Sequence, residues 1–269
     1  MVGDPPIATE EEGMKTASTG LINIRRENMR TRLWLVGLCG VGAVLSGAGG
    51  AAWGYEGGAV AEKGSISGVV KVAGQPPAGK PIEVTKDQAI CGTSQPMETL
   101  IVGADKGVKN AVVRLTNIAK GKPVDTAANL VLDQVKCHFV PHVVIVPVGA
   151  TLEIKNSDPI THNIHTFSID NDPINKAQPK TLPVIPAKFT APETIKAQCD
   201  IHKWMNTWIV TAEHPYYAST GEKGEFKLTE VPPGTYQLEI WHETLGKVTK
   251  EVTVKANADT TVLAELKKG

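Results

Sequence analysis

From Ser65 to the C-terminus the sequence is written in short runs that alternate apolar and polar residues, broken by clusters of Gly, Pro, Asn and Asp. Ile66-Ser-Gly-Val-Val-Lys-Val is one such run, closed by the turn-rich Ala73-Gly-Gln-Pro-Pro-Ala-Gly. Ala111-Val-Val-Arg-Leu, His142-Val-Val-Ile-Val, Thr151-Leu-Glu-Ile-Lys, Trp208-Ile-Val-Thr, Gly224-Glu-Phe-Lys-Leu, Tyr236-Gln-Leu-Glu-Ile-Trp and Lys250-Glu-Val-Thr-Val follow. A period of two places successive side chains on opposite faces of an extended strand, and no stretch sustains the period of a helix. An all-β sandwich architecture is the expectation. Pro147-Val-Gly-Ala reads as a tight turn between two strands. Residues 170–187, rich in Asn, Asp and Pro, read as a long loop with room for a short turn of helix.

The composition, 41% hydrophobic and 21% charged, supports a packed core. Lys+Arg and Asp+Glu both total 28, so the chain lacks the basic excess of a nucleic-acid binder. Near the N-terminus, Arg25, Arg26, Arg30 and Arg32 precede an apolar run from Leu33 to Leu45, followed by small residues from Ser46 to Ala52. That order is the order of a secretory signal peptide. The run falls short of the ~20 apolar residues that cross a bilayer, and Gly37, Gly40 and Gly42 weaken it further. An uncleaved anchor is the alternative, and it would be the chain's only membrane contact. Met29 makes a better start than Met1, with residues 1–28 a gene-start artefact or a dispensable leader and cleavage near Ala51 or Ala52, or after Ala61. The expected location is periplasmic or extracellular, with leader and signal occupying residues 1–61.

Of the four cysteines, Cys39 lies in the apolar run and leaves with the signal. Leu38 before it argues against a lipoprotein cysteine. Cys91, Cys137 and Cys199 remain, an odd number for an oxidising compartment. The arithmetic suggests a Cys91–Cys137 disulfide with Cys199 held back; two free buried thiols are the alternative.

The chemistry is concentrated between Asn156 and Met205. Cys199-Asp-Ile-His202-Lys-Trp-Met205 sets a thiolate, an imidazole and a thioether in one loop, and Thr161-His162-Asn163-Ile164-His165 offers further imidazoles upstream. One Cys and two His, with a Met at longer range, form the ligand list of a blue-copper electron-transfer site. His162 and His165 compete for one place. Their odd separation puts them on opposite faces of a strand, so only one faces the metal. His138 and His142 allow a second metal site, but their spacing matches no strong motif and a hydrogen-bonded structural role is favoured. His214 and His242 fall in a later sandwich, at its interface or on its surface. A binuclear oxidase-type copper centre needs a second cysteine in the loop, and Asp200-Ile201-His202 supplies none. Catalytic copper needs an open position or an extra histidine cluster, and neither is evident.

Over about residues 128–213 the chain resembles the cupredoxins, the amicyanins most closely. The shared features are the Cys-x2-His-x2-Met loop, the stretch His162-Asn-Ile-His-Thr-Phe167, and the upstream Pro147-Val-Gly-Ala-Thr-Leu-Glu-Ile-Lys-Asn. The resemblance implies one copper ion bound by His162 Nδ1, Cys199 Sγ and His202 Nδ1, with Met205 as a weak axial ligand. It also implies that Asn163 ties the two ligand loops together and shields the sulfur. His202 would reach the surface through an apolar patch of Ile160, Ile201, Trp204 and Met205, docking a c-type cytochrome or an oxidoreductase. Two residues depart from the pattern: Ala197 stands where Tyr is common, and Ala191-Pro-Glu replaces the commoner turn before the last strands.

Residues 214–269 resemble the carboxypeptidase regulatory-like, or transthyretin-like, sandwich through Gly224-Glu-Phe-Lys-Leu, Pro232-Pro-Gly and Tyr236-Gln-Leu. Phe226, Leu228, Tyr236 and Leu238 would alternate inward. Residues 62–127 look like the first strands of the same sandwich. The expected organisation is therefore a cupredoxin Greek-key sandwich (128–213) inserted in, or packed beside, a transthyretin-like one. Proteins with this pairing are similar to those labelled methylamine-utilisation proteins, although no residue here identifies an amine substrate. No zinc-peptidase motif is present, and the expected role is a non-enzymatic, exported electron carrier. The alternatives are a copper-delivery protein without redox traffic and a metal-free envelope interaction module.

Overall fold

Four sheets of three to five strands carry the chain in the computed structural model, which describes residues 54–76 and 79–268. The leader, the apolar run with Cys39, and the cleavage positions at Ala51 and Ala52 lie outside the described residues. The only helices among the described residues are Gln88–Cys91 and a 3-10 turn at Ala104–Lys106. None of them is long and apolar enough to cross a membrane.

Residues 130–212 form one pair of sheets. The four-stranded sheet runs Val184–Lys188, Thr151–Asn156, Leu130–Val135, His138–Val140. The five-stranded sheet runs Asn175–Gln178, His162–Phe167, Glu193–Gln198, Asn206–Ala212, Val143–Pro147. Leu132, Leu152 and Ile154 from the first sheet meet Ile164, Ile195 and Ile209 from the second, all fully buried. Burying each such side chain contributes about 1.5–3 kcal/mol before conformational costs.

The Pro147-Val-Gly-Ala turn is present, with Ala150 N–H donating to the Pro147 carbonyl at 2.9 Å. It does not close a hairpin. Val143–Pro147 pairs in parallel with Asn206–Ala212, whereas Thr151–Asn156 pairs in parallel with Leu130–Val135 in the opposite sheet. Gly149 makes the switch with φ at 85°, a left-handed conformation that glycine adopts without a Cβ penalty. The expected loop at 170–187 instead contributes two edge strands, Asn175–Gln178 and the start of Val184–Lys188, and no helical turn.

Strands from both ends of the chain build the other pair of sheets. Val112–Leu115 lies between Tyr217–Ser219 and Gly234–His242, while Gly64–Val72 lies between Glu225–Val231 and Asp259–Leu266. Phe226, Leu228, Tyr236 and Leu238 all point into this second core, as their alternation predicts. A small third cluster of Val112, Val143 and Val210 joins the two sandwiches, with the Trp208 and Trp241 rings edge-on at 4.9 Å.

His214 and His242 are buried rather than displayed at a surface. His214 donates from Nε2 to the Leu115 carbonyl at 2.8 Å and accepts the Tyr216 N–H at Nδ1, 3.2 Å away. His242 Nδ1 accepts the Thr244 N–H in the same way, at 3.2 Å. A proton on either Nδ1 would displace a backbone hydrogen bond in a poorly solvated site. Burial accordingly holds both rings below the ordinary histidine value of 6.5. The unfolded chain takes up these protons near pH 6.5 and the folded chain only at lower pH. Their contribution to stability is therefore complete above that pH and lost as pH falls below it, by up to about 1.4 kcal/mol per pH unit for each ring. Thermal melts between pH 7 and pH 5 should show this fall, reduced in His242→Gln; equal slopes for the two proteins would contradict it.

Candidate metal centre

The loop Cys199–Met205 joins two antiparallel strands whose last paired residues are Gln198 and Asn206. Its shape is set by two backbone bonds: Cys199 N–H donates to the Met205 carbonyl at 3.1 Å, and Met205 N–H to the His202 carbonyl at 2.9 Å. The three-residue step from Cys199 brings the His202 N–H onto the sulfur at 3.4 Å. Asn163 N–H reaches the same sulfur from the neighbouring strand, also at 3.4 Å. Two backbone donors are thus aimed at one buried sulfur.

His162 opens the strand His162–Phe167, whose far half pairs with Glu193–Gln198 through His165↔Gln198. That register sets the His162 ring beside the loop. Its Nδ1 lies 2.9 Å from His202 Nδ1, which is itself 3.7 Å from Cys199 Sγ. The donor atoms of His162, Cys199 and His202 lie within 4.8 Å of one another, and all three residues are 0% exposed.

The tautomers follow from what holds the opposite edges of the rings. His162 Nε2 faces Asp158 Oδ2 at 2.9 Å, and His202 Nε2 faces Asp87 Oδ2 at 2.8 Å. A carboxylate only accepts, so each Nε2 carries a proton, and in the neutral ring each Nδ1 presents a lone pair. Two lone pairs 2.9 Å apart repel unless a proton or a metal cation lies between them. Burial also disfavours a charged His162, lowering its pKa against the opposing pull of Asp158.

The supporting contacts are themselves anchored. The buried Asp158 carboxylate accepts the backbone N–H groups of Lys136 at 2.7 Å and Cys137 at 2.8 Å. Asn163 accepts the Asp200 N–H at its Oδ1, tying the His162 strand to the Cys199–Met205 loop, and donates from Nδ2 to Asn175 in the edge strand at 3.0 Å. His165 stays outside the cluster, paired to Asp200 at 2.8 Å and stacked on Phe167. Hydrogen bonds from Gln198 and His165 hold the Asp200 carboxyl below its ordinary range. Met205 is buried in the same core, with its backbone closing the loop.

Cys91 and Cys137 are disulfide-bonded with Cα atoms 5.3 Å apart, and Cys199 is the only free cysteine among the described residues. Cys137 Sγ also comes near Asp158 and His162, but its bonding to Cys91 removes it as a donor. The disulfide pins the short helix Gln88–Cys91, and Asp87 immediately before that helix covers the His202 ring edge. His202 is therefore enclosed and does not emerge through an apolar patch. Ile160, Ile201 and Trp204 are only partly buried, but they lean on the core, and the Trp204 indole donates to the Cys137 carbonyl at 3.2 Å. Sequence reasoning missed both carboxylates. Asp158, four residues before His162 in a Ser-Asp-Pro turn, left a faint local signal; Asp87, 115 residues from His202, left none.

Comparison with known proteins gives partial likenesses. The family described as polysaccharide lyase family 4, domain II, matches residues 190–262, a span that crosses from the last strands of the first sandwich into the second. No curated protein matches the chain. Among solved structures, a copper-containing nitrite reductase from Thermus scotoductus SA-01 is 23% identical over 35% of this chain, with a TM-score of 0.27. The chain spans only 26% of that reductase. The reduced Cu(I) form of a single-residue mutant of amicyanin is 22% identical over 34% of this chain and 86% of its own, with a TM-score of 0.29. A purple cupredoxin from Nitrosopumilus maritimus is 19% identical over 31% of this chain and 100% of its own, with a TM-score of 0.27.

Asp158→Ala would leave the Lys136 and Cys137 N–H groups and His162 Nε2 without their acceptor. At about 1–3 kcal/mol for each unsatisfied buried group, partly relieved by water, denaturant melts should show a loss of at least about 2 kcal/mol. A loss below about 0.5 kcal/mol would show that the carboxylate does not anchor the site.

Proposed function

We propose that the chain is an exported, mononuclear copper protein that works in electron transfer, with copper held by His162, Cys199 and His202 and more weakly by Met205. The observation that carries this reading is the pair of Nδ1 atoms facing each other at 2.9 Å beside the buried Cys199 sulfur. A soft thiolate with two imidazoles suits copper in both oxidation states, and a thioether favours the reduced one. Copper bound there would supply a one-electron couple.

The chain's own residues do the rest. Asp158 and Asp87 fix the ring tautomers and add electron density to the donors. The N–H groups of Asn163 and His202 temper the charge on the sulfur. Because each donor is fixed by its strand register or by a hydrogen bond, the set holds its shape as charge changes. Full burial of the three donors favours a carrier over an enzyme, since a substrate would need an open approach. The disulfide and the basic-then-apolar N-terminal pattern support export to an oxidising compartment. A c-type cytochrome or an oxidoreductase is the partner class. With the His202 edge covered by Asp87, the half-exposed Trp204 face, whose ring lies 5.2 Å from His202, is the route to it.

Titration with Cu(II) should produce an intense visible thiolate-to-copper absorption at one equivalent, abolished in Cys199→Ala. A colourless Cu(II) form would overturn the reading. Asp87→Ala should keep the absorption but release copper to a chelator roughly 10–100-fold faster, the usual scale for losing an outer-shell partner. An unchanged release rate would show that Asp87 neither covers nor steadies His202.

A further inference from the structure

The strand Gly246–Val254 is nine residues long and stands at the edge of its sheet. It pairs with Gly234–His242, and among the described residues no strand pairs with its other side. Which main-chain groups that free side presents follows from the neighbouring strand. Gln237 donates its N–H to Asn117 Oδ1 at 2.8 Å and accepts the Thr116 N–H at 3.0 Å, so both of its groups point away from Gly246–Val254. In an antiparallel pair, opposed residues exchange two hydrogen bonds or none. Glu251, opposite Gln237, therefore turns its N–H and carbonyl to the free side, and with a period of two Lys247, Thr249 and Thr253 do the same. The Thr253 carbonyl agrees, since it accepts the Thr260 hydroxyl at 2.9 Å from the facing sheet.

An open row of backbone donors and acceptors is a template for a further strand, and charge decides which strand can approach. The side chains in this register, Lys247, Thr249, Glu251 and Thr253, are all exposed. Their charges are self-complementary. A second copy laid antiparallel and centred on Thr249 sets Lys247 against the partner's Glu251, twice by symmetry. Centred on Lys250, two lysines would face each other; centred on Glu251, two glutamates; centred on Val248, no ion pair would form. Both charged groups are available for this. Lys247 Nζ lies 3.4 Å from Glu239, and Glu251 accepts from Gln237 at 3.4 Å, loose contacts on one exposed face.

We propose that Gly246–Val254 is the interface of a two-fold homodimer, in which the edges of two copies pair antiparallel about Thr249. The pairing joins two four-stranded sheets into one continuous sheet. The main-chain groups of Lys247, Thr249 and Glu251 supply the hydrogen bonds, and the two Lys247–Glu251 pairs set the register. Such an interface uses the same patch on both copies and closes on itself, so it stops at the dimer. It lies in the sandwich that does not carry Cys199 and does not depend on what that cysteine binds.

Sedimentation equilibrium of the full chain, with and without copper, should show a monomer–dimer equilibrium that weakens as salt is raised. Lys247→Glu and Glu251→Lys should each weaken the dimer at least about tenfold, and the double reversal should restore it to within about threefold of the wild type. Thr249→Pro removes an outward N–H, a change that an edge strand tolerates, and should abolish the dimer while the chain still melts cooperatively. Amide exchange at Lys247, Thr249 and Glu251 should slow as protein concentration rises. A chain that stays monomeric at about 200 μM, or a dimer indifferent to the charge reversals, would overturn the proposal. Monomers in which those three amides are nonetheless protected would show that another segment of the chain fills the edge, and would overturn it as well.

Discussion

Two imidazole nitrogens are held 2.9 Å apart, a contact that is unfavourable unless a proton or a metal ion lies between them, and the fold maintains it. It persists because neither ring can turn away: Asp158 holds the far edge of one and Asp87 the far edge of the other. Much of the surrounding structure serves these two grips. Asp158 is fixed by the Lys136 and Cys137 amides, and Cys137 is bonded to Cys91 at the end of the helix that Asp87 precedes. One disulfide thus braces both carboxylates at once. The third donor, Cys199, depends on the hairpin register that ends at Gln198 and Asn206 and leaves the loop just long enough to return His202 to the sulfur.

The parts of this arrangement visible in the sequence are the local ones. The spacing Cys199, His202, Met205 belongs to one loop, and strand alternation lets only one of His162 and His165 face the site, so neither needs long-range information; the choice of His162 rested on the resemblance to the cupredoxins. The Cys91–Cys137 pairing came from counting in an oxidising context, and the structure contains that bond. The inward set Phe226, Leu228, Tyr236 and Leu238 was legible because a period of two is an unambiguous signal.

What escaped was set by distant chain segments. The expectation that His202 is displayed at the surface failed because Asp87 comes from 115 residues away, in a polar stretch with no motif. Asn175–Gln178 was hidden for a different reason: it is an edge strand with three of its four residues exposed, so its pattern is that of a loop. The turn at Gly149 was recognised, but its change of sheet was not, since turn chemistry reports direction and says nothing of the pairing partner. His138 and His142 stood out in the sequence, but their carboxylate partners Glu98 and Glu243 come from other segments and did not.

The central claim is that both histidines keep their protons at Nε2 and offer Nδ1 to copper. Long-range proton–nitrogen correlation spectra of the diamagnetic Cu(I) form, with the histidines labelled with nitrogen-15, test it directly. The account predicts protonated Nε2 signals for His162 and His202 and metal-shifted Nδ1 signals for both. A protonated Nδ1 on either ring in that form would contradict it.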